Sequence, residues 1–429
     1  MNYIQYPKNE DWASLSERPI FDASSLEAIV KPIFENVKNE GDLALKKYTE
    51  TFDRVSLNDF LVSDAEIELA IRNTPTELKE AIQLAKSNIE KFHKSQVETV
   101  QKTETQIGVQ CWRESRPIQK VGLYIPGGSA PLFSTVLMLG VPAKIAGCQE
   151  IILCTPPDGS GNINPAILFT AHLVGITSIF KLGGSQAIAA LTFGTNSIPK
   201  VDKIFGPGNQ FVTAAKQLAQ NFGVAIDMPA GPSELLVIAD ETANPAFVAS
   251  DLLSQAEHGA DSQVVLVSNS NELIENTLEA LKNQLLDLPR QEIAAKALAN
   301  SRALLLENLD KCVDFSNQYA PEHLILATAN YAVLKDKITT AGSVFLGNYS
   351  PESAGDYASG TNHTLPTNGY ARNYSGVSLD SFVKKITFQE VSKQGLLNIG
   401  KAVEIMADAE QLFAHKNAVS IRLKSIENE

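Results

Sequence analysis

Short apolar runs alternate with helix-like segments along most of the chain, and both patterns become regular near Val121. Runs of four or five apolar residues are typical of buried strands, while apolar residues three and four positions apart predict amphipathic helices. Strands that alternate with helices indicate parallel, doubly wound sheets. The predicted strands are 121–125, 151–154, 179–182, 203–205 and 235–239, and then 264–267, 303–306 and 343–347.

The two ends of the chain lack this alternation. The first hundred or so residues read as mostly helical, with an amphipathic segment at 76–94. The tail, from about residue 379, shows a helical pattern through Phe413 and then an alternating run, 419–423, that predicts a final strand. We therefore predict an α/β fold with two Rossmann-like parallel-sheet domains and small N- and C-terminal extensions.

Three of the predicted strands end in glycine-rich turns, each of which opens a helix. The turns are residues 126–129, 183–186 and 206–209. Backbone N–H groups in such turns can approach a phosphate closely at the start of a helix. None of the three matches the G-x-G-x-x-G dinucleotide fingerprint. The turns predict a ligand cleft at the carboxyl ends of the strands without identifying the ligand.

Composition narrows the class of protein. The net charge of −13 over 429 residues argues against nonspecific binding to nucleic acid or to an anionic membrane surface. No run approaches the ~20 apolar residues needed to span a bilayer, and the first residues lack the layout of a signal peptide. The four cysteines are scattered without zinc-finger or C-x-x-C spacing. A reducing cytoplasm therefore fits best.

Four residues could bind a metal ion. Gln255 and His258 are three apart near the end of a predicted helix, which Asn244 would cap and Gly259 would stop. Asp356 belongs to a loop-like stretch of small and polar residues, and His415 follows a helix in the tail. Two nitrogens and two oxygens suit zinc or a similar divalent ion. Spacing along the chain leaves open whether the four side chains meet.

Glu322 and His323 form an adjacent carboxylate–imidazole pair that suits general acid–base chemistry near neutral pH. The apolar run 324–326 suggests partial burial, which would shift both pKa values. His93, by contrast, lies close to two lysines and is expected on the solvated surface.

Cysteine chemistry is the rival hypothesis, because an aldehyde can be oxidised through a thiohemiacetal on a nucleophilic thiol. Cys148 and Cys154 flank a predicted buried strand. Neither has an adjacent histidine or positive charge that would lower the pKa of its thiol, so inert core cysteines are favoured.

Seven segments, in order along the chain, closely resemble the histidinol dehydrogenase family. They are YIPGGSAP (124–131), FGPGN (205–209), DMPAGPSE (227–234), SQAEHG (254–259), PEH (321–323), ESAGDYASGTNH (352–363) and AHKNA (414–418). The resemblance implies a zinc-dependent enzyme that converts L-histidinol to L-histidine through L-histidinaldehyde with two NAD, in the last steps of histidine biosynthesis.

The resemblance also implies roles for particular residues. The implied ligands of one zinc ion per subunit are Gln255, His258, Asp356 and His415. The implied NAD contacts are Tyr124, Gln186 and Asn209. The implied substrate contacts are Ser233, His363 and Glu410, together with His323 and the four zinc ligands. Glu322 would activate water and His323 would act as general acid and base, while zinc would position the substrate.

By the same resemblance the protein is a homodimer whose C-terminal tail completes the partner's active site. The expected parts are an N-terminal extension, 1–19, a larger α/β domain with the metal and catalytic residues, 20–123 and 234–377, a Rossmann-like NAD-binding domain, 124–233, and a dimerisation tail, 378–429. Two alternatives stay open beside the thiol enzyme. One is a zinc and NAD dehydrogenase of the same family acting on another small alcohol, and the other is a noncatalytic α/β ligand-binding module.

Overall fold

The structure is a computed structural model that describes residues 1–18, 23–127 and 131–428. Gly128 and Ser129, in the first glycine turn, lie outside the described residues. The strands are β1 Asn2–Gln5, β2 Thr103–Gln106, β3 Val109–Pro117, β4 Lys120–Tyr124, β5 Glu150–Thr155, β6 Ser178–Lys181, β7 Lys203–Phe205, β8 Ala225–Ile226, β9 Glu234–Ala239, β10 Gln263–Ser268, β11 Arg302–Leu305, β12 His323–Ala327, β13 Ser343–Leu346 and β14 Val383–Val391.

Helices connect most of these strands. They are α1 Trp12–Leu15, α2 Ala23–Glu40, α3 Asp42–Tyr48, α4 Asp64–Asn73, α5 Thr76–Lys94, α6 Phe133–Ala146, α7 Pro165–Val174, α8 Gly184–Phe193, α9 Gln210–Ala219, α10 Pro245–Ala256, α11 Asn271–Leu286, α12 Gln291–Ala299, α13 Leu309–Tyr319, α14 Tyr331–Leu334, α15 Glu352–Tyr357, α16 Lys393–Ala409 and α17 Phe413–Glu427. Within the described part of the chain, none is both long and apolar enough to cross a membrane.

Two of the three sheets are parallel, as the alternation of strands and helices predicts. The six-stranded sheet has the order β1-β11-β10-β9-β12-β13, and the five-stranded sheet has the order β6-β5-β4-β7-β8. Every residue of β9 and β10 is buried. Continuous apolar strands of this kind occur because helices cover both faces of a parallel sheet.

The chain divides into two compact units. The first comprises Met1–Ser95 and Ile118–Phe382 and holds both parallel sheets. The second comprises Gln96–Pro117 and Val383–Glu429 and holds the antiparallel sheet β14-β3-β2 with helices α16 and α17. The α/β class with two parallel sheets and terminal extensions is confirmed. The expected domain boundaries stay a prediction.

The predicted tail strand at 419–423 is wrong, because this segment is part of helix α17. The side chain of Leu423 lies directly against Gly400, where an added methyl group would come within 2.9 Å of it. Leu423 thus packs in the groove that Gly400 leaves on α16. The alternation of apolar residues does not correspond to one buried face, because Ile421 is exposed. His415 accordingly lies within a helix and not after one.

The expected solvated position of His93 is also wrong, because its side chain is fully buried. Its Nδ1 lies 2.8 Å from the carbonyl oxygen of Ile89, one turn earlier in α5, and its Nε2 lies 3.5 Å from the Asn362 amide nitrogen. Burial lowers the pKa of His93. The two nearby lysines led to the wrong prediction, because residues one or two positions apart along a helix do not share a side.

Candidate active site

A group of buried polar side chains gathers at one end of the six-stranded sheet. Glu234 is the first residue of β9 and His323 is the first residue of β12, and the two strands are direct neighbours. Gln255 comes from the last turn of α10, and α15 contributes Glu352 and Asp356. The site therefore stands at the amino ends of β9 and β12.

Helix α10 begins as its sequence predicts, with the Asn244 side chain accepting a hydrogen bond from the Ala246 N–H at 2.9 Å. It ends at Ala256, earlier than expected. Gln255 is therefore helical, whereas His258 lies beyond the helix, and the expected pairing on one helix face is wrong. His258 still lies close enough to Asp356 for that carboxylate to act on its pKa, which burial lowers overall. A neutral imidazole is the form that binds a metal ion.

The ring of His323 has two different surroundings. Its Nδ1 lies 3.2 Å from the carbonyl oxygen of Glu234, which can only accept a proton, so the hydrogen-bond network assigns the ring proton to Nδ1. Its Nε2 lies 3.5 Å from Asp356 Oδ1 and has no hydrogen-bond partner in the described structure. Burial lowers the pKa of His323, but the nearby carboxylates of Glu352 and Glu322 raise it to well above its usual value.

Glu322 is held next to this ring. Its Oε2 accepts a hydrogen bond of 2.8 Å from the Glu234 N–H and lies 3.6 Å from His323 Nδ1. Burial raises the pKa of Glu322 to about 8, against the opposing effect of the His323 charge. A carboxyl group with a pKa in this range can take up or release a proton near neutral pH.

Three side chains offer metal-ligating atoms that all lie within 4.8 Å of one another: His323, Glu352 and Asp356. His323 Nε2, Glu352 Oε2 and Asp356 Oδ1 are buried, and none has a hydrogen-bond partner among the described residues. Buried carboxylates without partners are unfavourable, and burial raises the pKa of Glu352 well above its usual value. The carboxylate oxygens of this set suit a divalent cation, and the imidazole nitrogen suits either a cation or a proton.

Two further predicted residues, Gln255 and His363, contact residues of this cluster. The amide of Gln255 is buried, and in the orientation that satisfies both of its atoms the nitrogen donates to Glu352 while the oxygen accepts from the Glu234 N–H at 3.1 Å. His363 Nδ1 lies 2.9 Å from the Asp356 carbonyl oxygen, and its Nε2 lies 3.1 Å from Thr135 Oγ1. Ser233 directly precedes Glu234 in the chain.

Glu410 and His415 belong to the second unit. Glu410 caps the end of α16, His415 lies in the first turn of α17, and both are exposed. The cluster around His323 is built from side chains of the first unit.

A separate cavity of about 980 Å³ lies at the five-stranded sheet. Its lining includes the three predicted cofactor contacts, which follow or end the strands β4, β6 and β7: Tyr124, Gln186 and Asn209. Both amide atoms of Gln186 are buried and lack hydrogen-bond partners in the described ranges. A cavity at the carboxyl ends of parallel strands is the usual place for a nucleotide.

The turn after β7 shows why glycine stands at this edge. Gly206 has φ +126°, and a side chain here would overlap the carbonyl oxygen of Tyr124. The Gly206 N–H donates to Asp227 Oδ2 at 2.8 Å, and Lys216 Nζ donates to the Gly206 carbonyl at 2.8 Å. The side chain of Asn209 then caps α9 by accepting from Phe211 N–H and Val212 N–H.

The cysteines offer no alternative nucleophile here. Cys148 and Cys154 are buried, and burial raises the pKa of their thiols to about 11 and about 12. A thiol protonated this firmly is a poor nucleophile at neutral pH. The predicted core position is confirmed for both, and their inertness stays a prediction.

Sequence reasoning gave no role to three residues that the structure places in or behind the site: Glu352, Glu234 and Arg18. Glu352 opens the segment that contains Asp356, four residues away, so a shared helix face was the available signal. Glu234 ends the segment 227–234. Arg18 carried no signal, because the partners that connect it to the site, Glu234 and Tyr319, are more than two hundred residues distant in sequence.

Comparison with known proteins gives a consistent result. A family model described as "Histidinol dehydrogenase" matches residues 16–423. The histidinol dehydrogenase of Bacteroides thetaiotaomicron is 59% identical over 99% of this chain and 100% of its own length. That of Mannheimia succiniciproducens is 57% identical over 98% of this chain and 97% of its own length. A crystal structure of histidinol dehydrogenase from Elizabethkingia anophelis has 65% identity and a TM-score of 0.98, and covers 100% of this chain and 99% of its own.

Proposed function

Because the chain belongs to the histidinol dehydrogenase family, we propose that it oxidises L-histidinol to L-histidine through L-histidinaldehyde, with two NAD, in the last steps of histidine biosynthesis. The observation that carries this proposal is the buried pair Glu322 and His323 beside a cluster of donor atoms without partners. We expect the enzyme to work in the cytoplasm, where its unpaired cysteines would stay reduced.

His323 is the proposed general base of the first oxidation. Its Nδ1–H is engaged by the Glu234 carbonyl. The ring must lose the Nε2 proton that the nearby carboxylates favour before its Nε2 lone pair can face the substrate. Nε2 accepts the proton of the alcohol while the carbon-bound hydrogen leaves as hydride to NAD. The products of this step are the aldehyde, one NADH and a proton.

Glu322 is the proposed base for water in the second oxidation. An aldehyde has no hydroxyl proton to lose, so it must first add water to form a hydrate. Glu322 takes a proton from that water as its oxygen adds to the carbonyl carbon, and His323 returns the proton of the first step to the carbonyl oxygen, which completes the hydrate. The neutral His323 then takes a hydroxyl proton of the hydrate as the second hydride leaves to NAD. The sum is one alcohol and one water converted to a carboxylic acid, with two NAD reduced.

We propose that Gln255, His258, Asp356 and His415 hold one zinc ion. The buried Asp356 oxygen, which has no partner among the described residues, and the lowered pKa of His258 support these two members of the set. Zinc, when bound, would hold the substrate's imidazole and amine in place, which is a contribution of orientation. Ser233, His363 and Glu410 are the further proposed substrate contacts.

A homodimer is part of the proposal, with Glu410 and His415 reaching the active site of the partner. Both residues are exposed, so they are available to a second subunit. The cavity at the five-stranded sheet is the proposed NAD site, with Tyr124, Gln186 and Asn209 as contacts. The unpartnered amide of Gln186 supports this, because it offers both a donor and an acceptor to a polar ligand.

Stoichiometry tests the function directly. Purified, zinc-loaded protein with excess NAD should form two NADH and one histidine for each L-histidinol consumed. One NADH per histidinol with release of the aldehyde would refute the four-electron reaction. The second candidate function is oxidation of another small alcohol. A panel of amino alcohols without the imidazole tests it, because turnover of these compounds at the rate of histidinol would favour that function.

A further inference from the structure

Arg18 is a buried cation bound to a buried anion directly behind the active site. Its side chain is 7% exposed and that of Glu234 is 1% exposed. The contact is bidentate, with Nε 3.0 Å from Oε1 and Nη2 2.9 Å from Oε2. The guanidinium carbon also lies over the ring of Tyr319, 3.6 Å from its centroid. Such planar, two-pronged binding is specific to arginine.

The same guanidinium also binds a second segment. Its Nη2 donates to the carbonyl oxygen of Tyr319 at 2.6 Å and lies 3.4 Å from that of Ala320. Tyr319 ends α13, and Ala320 has a left-handed φ of +55° that turns the chain. Glu322 and His323 follow within three residues. Arg18 thus holds the turn that delivers the proposed catalytic pair.

Glu234 connects the guanidinium to that pair from the other side. Its side chain accepts from Arg18 and, at 2.6 Å, from the Asn368 N–H. Its backbone N–H donates to Glu322 Oε2 at 2.8 Å, and its carbonyl oxygen receives His323 Nδ1 at 3.2 Å. Both catalytic side chains are therefore oriented by the peptide groups of a residue whose side chain is fixed by Arg18.

We propose that Arg18, acting through Glu234 and the turn at residues 319–321, is a positioning residue for the proton transfers of Glu322 and His323. The inference rests on the proposed function, since it takes these two side chains as the acid–base pair. A buried ion pair contributes little net stability compared with apolar side chains of similar volume. What this pair does contribute is a fixed geometry, and a misplacement of 1 Å at a reacting group can cost about 10²-fold in rate.

The competing explanation is that Arg18 only anchors the N-terminal segment. Arg302 distinguishes this explanation from a positioning role. Arg302 Nη1 donates to the carbonyl oxygen of Leu15 and lies 3.4 Å from that of Glu17, so it binds the same segment as Arg18. The hydrogen bonds described for it reach neither Glu234 nor the turn at 319–321. Arg302→Met is therefore the matched control for a loss of anchoring alone.

The test compares the double variant Arg18→Met/Glu234→Gln with Arg302→Met. The double variant avoids leaving one buried charge uncompensated. We expect kcat to fall by about 10²-fold while KM for histidinol and bound zinc stay near the wild-type values. Arg302→Met should keep kcat. Three results would overturn the proposal. They are a wild-type kcat in the double variant, a loss of bound zinc and a raised KM for histidinol in parallel with the loss of kcat, and an equal loss of kcat in Arg302→Met. Should the double variant not fold, Arg18→Lys, which keeps the charge but not the bidentate contact, carries the same comparison, with a smaller loss of kcat.

A spectroscopic readout is independent of turnover. The hydrogen bond from His323 Nδ1 to the Glu234 carbonyl should give a slowly exchanging imidazole proton signal, assigned by its loss in His323→Asn. We expect this signal to shift or disappear in the double variant and to persist in Arg302→Met. An unchanged signal in the double variant would overturn the proposal. A wild-type protein without histidinol turnover would refute the proposed function, while this signal would still decide whether Arg18 orients the ring.

Discussion

The two parallel sheets of the first unit carry their polar sites at opposite ends of their strands. At the five-stranded sheet, Tyr124 ends a strand, and Gln186 and Asn209 follow strands, around one cavity. At the six-stranded sheet, Glu234 and His323 each begin a strand. The first arrangement follows the general rule for ligands in doubly wound sheets, and the second departs from it.

The two sites are therefore built from different parts of the protein, backbone turns in one and side chains in the other. The cavity depends on backbone turns, where Gly206 allows a conformation and an approach that a side chain would prevent. The cluster depends on side chains that converge from separate strands and helices, and three of their donor atoms have no hydrogen-bond partner among the described residues. We therefore expect substitutions at the cluster to affect chemistry and metal binding, and those at the cavity to affect NAD binding.

Removal of a proposed zinc ligand should have the largest effect. His258→Asn is expected to lose bound zinc and activity together, because an amide oxygen replaces the imidazole nitrogen that zinc favours. Metal analysis of the purified variant and an NADH assay measure both. The exposed His172 provides the control, and His172→Asn should keep both. An active, zinc-free His258→Asn protein would contradict the metal assignment.

Glu322→Gln should separate the two oxidations. The amide cannot take a proton from water, so oxidation of histidinaldehyde should fall by about 10²-fold, whereas oxidation of histidinol should fall much less. Separate assays starting from the alcohol and from the aldehyde measure the two steps. Equal losses in both would rule out the division of roles between Glu322 and His323.

Gly206→Ala should weaken NAD binding. The added methyl group would overlap the Tyr124 carbonyl at a φ that side chains rarely adopt, and backbone strain of about 2 kcal/mol corresponds to roughly a 30-fold increase in KM for NAD. Bound zinc should not change. Gly223→Ala is the control, because Gly223 has φ +82° but open space around it. An equal effect of both substitutions would show that conformation alone, and not the close approach, matters.

Gln186→Leu should have the smallest of these effects. Leucine keeps the side chain's approximate size but removes the buried donor and acceptor. KM for NAD should rise roughly tenfold, as expected for one to two hydrogen bonds of about 1 kcal/mol each. The rate at saturating NAD and the zinc content should stay close to wild type. A change in zinc content without a change in KM for NAD would contradict the assignment of NAD to the cavity and of zinc to the cluster.

The same contrast governs what the sequence could predict about the fold. The predicted strands from 121 to 347 are confirmed, because a buried parallel strand is apolar throughout its length. Edge strand β1 and the antiparallel sheet in the second unit were missed, since their exposed residues carry no apolar run. The predicted strand at 419–423 failed because a short alternation of apolar residues also occurs in helix α17, where Leu423 packs against Gly400 and Ile421 is exposed.

The two sites differ in the same way. The glycine turns marked a ligand cleft by local sequence alone, although the ligand did not follow. The cluster required long-range information: the resemblance to a family pointed to Gln255, His258 and Asp356, while Glu352 and Arg18 emerged only from the structure. His93 differs from these residues, because it continues the buried helical pattern Ile82, Ala85 and Ile89 of α5.

Anomalous diffraction at the zinc edge, from crystals grown with zinc and NAD, tests the division between the two sites most directly. The account predicts one zinc peak per subunit, about 2.0–2.2 Å from donor atoms of His258 and Asp356, with dinucleotide density against Gln186 and Asn209 at the five-stranded sheet. A zinc peak in the cavity at the five-stranded sheet, or dinucleotide density with no contact to Gln186 and Asn209, would contradict it.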